Sequence, residues 1–196
     1  MICKMIMDGK RDPRFVATIL QRIVDGIPDT FTHIWKTIKI GNGPLTGVGL
    51  LSRLVRGGCS LEEDVGLVLG SPNFVVSSVA QTIDLVRVSV EQLGFAKRTT
   101  YAAICKRALE FGLELCPSDV GLQLLLQYET QPINDYFFVA SKMITCADGH
   151  SRIFGLNREK DGRQVLLTFR NHPHWHEGLD PNQELVFMLP KQGSDG

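Results

Sequence analysis

Two regimes of apolar spacing divide the chain. As far as residue 112 most apolar positions recur at helical spacing, and from Tyr136 they come in short β-rich runs. Asp12 can cap a first helix whose first position is Pro13, where a missing N–H costs nothing. Val16, Ile19, Leu20, Ile23 and Val24 then form one stripe, with Arg14, Gln21, Arg22 and Asp25 on the wet side and Gly26 and Pro28 as the stop. His33 to Ile40 is rich in β-formers and ends at Gly41-Asn42-Gly43, so it predicts a strand. Thr46 to Val55 predicts a helix burying Val48, Leu51, Leu54 and Val55, against the weakening effect of Gly47 and Gly49. Ser60-Leu61-Glu62-Glu63 reads as a capping box opening a helix to Leu69, with Leu61, Val65, Val68 and Leu69 inward. Thr82 to Val90 alternates as a strand does. Thr100 to Gly112 carries a cap, a stripe of Tyr101, Ile104, Cys105, Ala108 and Phe111, and a glycine stop. Cys116-Pro117-Ser118-Asp119 opens a further helix, and Leu122 to Tyr128 fits helix or strand equally.

The β-rich part contains four runs: Tyr136 to Ile144, Arg152 to Arg158, Arg163 to Arg170 and Glu184 to Leu189. Asp148-Gly149 and Asp161-Gly162 separate the first three, and Asp-Gly is a strong hairpin signal. The expected class is α+β: N-terminal helices, then an antiparallel meander packed against helix 100–111. A boundary is conceivable in the Gly, Pro, Asn and Ser cluster of residues 70–78. It would separate a mainly helical region 1–70 with one strand from an α+β domain 79–190. One continuous domain is the alternative.

Composition narrows the classes of function. Hydrophobic residues make up 43% and charged residues 21%, and the 21 Lys and Arg balance the 21 Asp and Glu. Disorder is disfavoured by that balance, as is a nucleic-acid protein working by bulk charge. The five cysteines are widely spaced with no C-x-x-C pair, which argues against a zinc ribbon and fits a reducing compartment. The N-terminal stretch MICKMIMDGKRDP lacks the apolar region and cleavage site of a signal peptide, and no run approaches the ~20 apolar residues of a membrane helix. The expectation is a cytoplasmic protein without membrane contact.

Three segments carry a resemblance: Trp35-Lys36-Thr37-Ile38-Lys39-Ile40-Gly41, then TIDLVRVSVEQLGF at 82–95, then TTYAAICKRALEFGLELCPSDVGLQLLLQYETQP at 99–132. Over residues 33–143 the chain resembles a family of uncharacterised bacterial proteins from environmental and uncultivated lineages. The similarity is most specific at Leu113-Glu114-Leu115-Cys116-Pro117 and Gln127-Tyr128. Leu122 stands where that pattern has proline and Leu125 where it has arginine. The resemblance implies a foldable bacterial domain and brings no activity or functional residue with it.

The candidate chemistry is sparse. Four of the five histidines lie between His150 and His176. In an extended segment His172, His174 and His176 share a face, and three imidazoles suffice for a zinc site with an open position. Glu177 could then act as base for the bound water. The plainer reading, a polar hairpin tip with Trp175 folded on the sheet, is preferred because short His tracts often occur without metal. The seven-residue gap from His176 to Glu184 is too long for the cupin pattern. Cys116 precedes a helix N-terminus, which lowers a thiol pKa, although a buried packing cysteine is the commoner case. Gly41-Asn42-Gly43-Pro44 matches no phosphate loop, and no G-x-S-x-G elbow occurs. Residues 1–60 hold nine Lys and Arg against four Asp and Glu, which suits a solvated surface.

The leading expectation is a non-catalytic interaction or ligand-binding protein, with an unknown protein or small-molecule partner and no cofactor. The alternatives are a metal-binding protein or metal-dependent hydrolase using His172, His174 and His176 with zinc, and a nucleic-acid-associated protein using Lys4, Lys10, Arg11 and Arg14.

Overall fold

The computed structural model describes residues 31, 33–43, 46–171 and 178–190. In chain order the elements are β1 (Lys36–Ile40), α1 (Gly47–Arg56), β2 (Ser60–Leu61), α2 (Val65–Leu69), β3 (Gln81–Ser89), α3 (Tyr101–Glu110), α4 (Val120–Gln127), β4 (Tyr136–Val139), β5 (Ile144–Thr145), β6 (Ser151–Arg158), β7 (Gln164–Asn171) and β8 (Glu184–Met188). The helix expected at Pro13 to Asp25 lies outside the described residues.

Helices and strands are mixed, as expected, but the sheet is not an antiparallel meander. Its order is β1-β3-β8-β4-β6-β7-β2, with β5 paired to β6. The last strand, β8, inserts between β3 and β4, antiparallel to the first and parallel to the second. The short β2 joins β7 in parallel. Asp-Gly turns specify only their local hairpins: Gly149 and Gly162 adopt φ of 79° and 87° beside β6 and set it antiparallel to β5 and β7. The place of β8 depends on pairing across a hundred residues, which local spacing does not encode. Strands from both sides of residues 70–78 lie in this one sheet.

Both faces of the sheet are buried, and alternate residues of each strand separate them. Ile83 and Leu85 of β3, Val186 of β8, Phe137 and Val139 of β4, Phe154 and Leu156 of β6 and Leu166 of β7 share one cluster with Leu50 and Leu54 of α1, Val65 and Val68 of α2 and Val120, Leu122, Leu124 and Leu125 of α4. Val86 and Val88, Leu185 and Phe187, Phe138 and Ile153 form the opposite cluster with Tyr101, Ile104, Cys105 and Ala108 of α3. Helix α3 therefore covers one face, as its stripe predicts, and α1, α2 and α4 cover the other. Each fully buried large side chain contributes about 1.5–3 kcal/mol.

Three local expectations change with this packing. The capping box at Ser60 does not form: Ser60 and Leu61 pair with Val165 and Leu166, and the Glu62 carboxylate accepts from the Thr168 N–H at 2.6 Å. Only Val65–Leu69 is helical there. Leu122 to Tyr128 resolves as helix up to Gln127; α4 is buried almost all round between the sheet and α1, which erases its periodicity. Helix α1 turns Leu50 and Leu54 inward and leaves Val48 and Val55 in solvent. Its N-cap is Thr46, whose hydroxyl accepts from the Gly49 N–H at 3.1 Å.

Candidate functional site

Polar groups buried inside this sandwich must find partners, because stranding one costs about 1–3 kcal/mol and more for a charge. Arg152 and Arg87 face the α1–α2–α4 side from opposite ends of the sheet. Arg152, at the start of β6, is 1% exposed at its side chain. Its Nε and Nη2 donate to Asp64 Oδ2 at 3.0 and 2.9 Å, and its Nη1 and Nη2 donate to Asp148 Oδ1 and Oδ2 at 2.9 and 2.6 Å. Every guanidinium nitrogen is engaged, and the fork ties the β5–β6 turn to the residue before α2. The hydrogen bond from Arg152, above all, holds the Asp148 carboxyl well below the ordinary carboxylate range.

Arg87, near the end of β3, lies among aromatic rings. Its guanidinium carbon stands 4.3 Å from the Phe137 ring centroid and 5.5 Å from that of Trp35. Trp35 meets Tyr128 and Phe137 edge-on at 5.3 and 5.4 Å. Lys36 Nζ sits 4.1 Å from the centroid of Tyr128. The topology explains the gathering: β1, β4 and β8 all begin, and β3 ends, at this edge of the molecule, where α4 also runs out at Tyr128. Arg87 Nη2 donates to Asp135 Oδ1 at 2.6 Å and to Glu184 Oε2. Burial opposes the charge on Arg87, and the bonds and charges of Asp135 and Glu184 outweigh it, so its pKa is raised.

The pairing at Arg87 is incomplete. Arg87 Nε and Asp135 Oδ2 are buried and meet no hydrogen-bonding group among the described residues. The Asp135 side chain is only 9% exposed. An unused donor and an unused acceptor thus flank one ion pair, which lies beside the rings of Trp35, Phe137 and Tyr128; Trp35 and Lys36 are half-buried and Glu184 is more exposed. The formal charge of Lys36, Arg87, Asp135 and Glu184 sums to zero.

Other buried chemistry serves the fold. The fully buried Asp119 accepts from the Ser77 N–H at 3.1 Å and hydroxyl at 2.8 Å. Gln127 spans the outer side of Lys39, accepting its N–H at 3.0 Å and donating to its carbonyl at 2.9 Å, and so blocks edge pairing there. Cys116 is buried; its N–H donates to the Ala140 carbonyl at 2.7 Å, and burial pushes its thiol far up, which favours the packing role over a nucleophile.

His172, His174 and His176 lie outside the described residues, as does Glu177. Among the described residues no group of three or more His, Cys, Asp or Glu is placed to hold a metal ion, and no helix is long and apolar enough to cross a membrane. Lys4, Lys10, Arg11 and Arg14 also lie outside them. The Arg87 cluster was not foreseen from the chain, although one signal existed. An arginine between two apolar neighbours inside a strand, as in Val86-Arg87-Val88, needs a partner if both faces are buried. No family model matches the chain, and neither the curated proteins nor the solved structures contain a significant match to it.

Proposed function

We propose that the protein is a non-catalytic binding module that holds a small, neutral, polar ligand at the Arg87 edge of the sheet. The observation that carries this reading is the pair of buried atoms, Arg87 Nε and Asp135 Oδ2, that meet no partner among the described residues, whereas every guanidinium nitrogen of Arg152 is engaged. A ligand supplying one acceptor and one donor would complete the pair, while its apolar body would lie against Trp35 and Tyr128. Recognition of this kind needs no reacting group, which agrees with the balanced charge of the site.

Native mass spectrometry tests the reading. Protein isolated under native conditions is expected to carry a stoichiometric small molecule that is lost after unfolding and refolding in clean buffer. It is also expected to be lost in Trp35→Ala with the fold retained. A bare protein mass, with a single ordered water bridging the two atoms in an electron-density map, would overturn it.

A further inference from the structure

Where β4 begins and the β6–β7 hairpin turns, the surface carries an open cavity of about 430 Å³ lined by Asn134, Asn157, Arg158, Glu159, Lys160 and Asp161. An aromatic ring borders it. Tyr136 pairs directly with Asn157 across β4 and β6, so the two side chains leave the same face with Cβ atoms about 4.5–5.5 Å apart. Tyr136 is 40% exposed, and Phe138 steadies its ring edge-on, 5.1 Å between centroids at 75°. The lining is tied down by its own hydrogen bonds. The Asn134 N–H donates to the Arg158 carbonyl at 2.7 Å, and the Arg158 N–H to the Asp135 carbonyl at 3.0 Å. Asn134 holds a φ of 62°, in the left-handed region that asparagine tolerates better than most side chains. Arg158 Nε donates to the Gly162 carbonyl at 2.9 Å, and its Nη1 to the carbonyls of Glu129 and Gln131 at 3.1 and 2.5 Å. Glu159 and Asp161 both face Arg163, at 2.6 and 3.4 Å.

Arg158, Glu159 and Asp161 are thus occupied in holding the turn. An anion entering here would meet two carboxylates, and a metal ion would have to take both from Arg163. The carboxamides of Asn134 and Asn157 each present a donor and an acceptor. From this lining and its aromatic border we infer a second binding site, independent of the Arg87 cluster, for a saccharide. Each sugar hydroxyl donates and accepts at once, as a carboxamide does, and the carbon-bound hydrogens of a pyranose present an apolar face to an aromatic side chain. The sugar ring stacks on Tyr136, and its adjacent hydroxyls reach Asn157 and Asn134. The cavity has the size of a small-molecule site.

The full chain, labelled with nitrogen-15, would be titrated with methyl glucoside, methyl galactoside, methyl mannoside and N-acetylglucosamine. Each would be taken to ~100 mM, so that a dissociation constant of ~10 mM registers. Inorganic phosphate and calcium chloride would be titrated in parallel. At least one sugar is expected to shift the amides of residues 157–162 and to leave those of Trp35, Arg87 and Glu184 unmoved, so this site and the Arg87 cluster are read separately. Asn157→Ala, with thermal unfolding unchanged, is expected to weaken binding roughly tenfold, and Tyr136→Leu likewise. Tyr136→Phe, which keeps the ring, is expected to retain it. No shift with any sugar, shifts confined to other residues, a stronger response to phosphate or calcium, or undiminished binding by Asn157→Ala would each overturn the inference.

Discussion

Arg152 and Arg87 occupy the same face of one sheet, yet their surroundings differ in kind. Arg152 has two carboxylates that together use all three of its nitrogens, and it touches the turn and helix it must hold. Arg87 has two carboxylates on one nitrogen, rings on its flat faces, and an Nε with nothing to donate to. A buried cation can therefore be a finished structural clamp or an unfinished contact, and the number of its nitrogens in use separates the two. The same contrast holds for the carboxylates: Asp148 gives both oxygens to Arg152, and Asp135 gives one to Arg87.

The largest expected effect lies on the finished side. Arg152→Met should destabilise the fold by about 2–3 kcal/mol in urea unfolding, because it removes the charge-assisted hydrogen bonds that tie the β5–β6 turn to Asp64, while the two carboxylates left behind are 36% and 31% exposed. Adding Asp148→Asn should recover little, since the turn stays untied. At the other end Arg87→Met with Asp135→Asn should cost less than about 1.5 kcal/mol, because the buried Asp135 charge goes together with its counter-charge, the remaining Glu184 is 41% exposed to water, and Met still packs on Phe137 and Trp35. A cost as large as that of Arg152→Met would erase the distinction between the two arginines.

Acid titration sharpens the comparison from the other direction. Asp148 has a folded pKa below its unfolded value, so its contribution to stability is complete above ~pH 5 and is lost as pH falls through ~4 toward the folded value. Stability measured by chemical unfolding should fall along this acid limb, and Asp148→Asn should flatten it. The smallest effect belongs to Lys36→Ala, which removes a cation from over the Tyr128 ring. A loss within about 1 kcal/mol is expected in thermal unfolding, together with weaker ligand retention by native mass spectrometry.

Local features were the legible part of this chain. Thr100 does cap α3, accepting from the Ala103 N–H at 3.3 Å, and Gly112 ends the turn at φ 73° with the Leu113 N–H on the Ala108 carbonyl at 3.0 Å. The Asp161-Gly162 turn sets β6 and β7 in register over eight residue pairs. Each of these depends on residues close in sequence. The capping box at Ser60 was legible too, but strand pairing with Val165 and Leu166 outweighed it, as tertiary contacts commonly outweigh weak local preference. The run Tyr136 to Ile144 reads as one strand and splits into two because β4 pairs with β8 and β6 while β5 pairs with β6 alone. The Arg87 cluster draws on Trp35, Tyr128, Asp135 and Glu184, residues spread over about three quarters of the chain and brought together by the pairing of β1 with β3 and the insertion of β8 between β3 and β4. No spacing rule reaches that far.

Hydrogen exchange at the arginine Nε–H groups, followed by NMR on protein labelled in arginine, tests the difference most directly. In protein refolded free of small molecules, the Arg152 Nε–H should exchange slowly and the Arg87 Nε–H fast. In natively isolated protein the Arg87 signal should move and become protected while that of Arg152 stays where it was. Equal protection of both groups in the refolded protein, with no movement of Arg87 between the two preparations, would contradict an open site at Arg87.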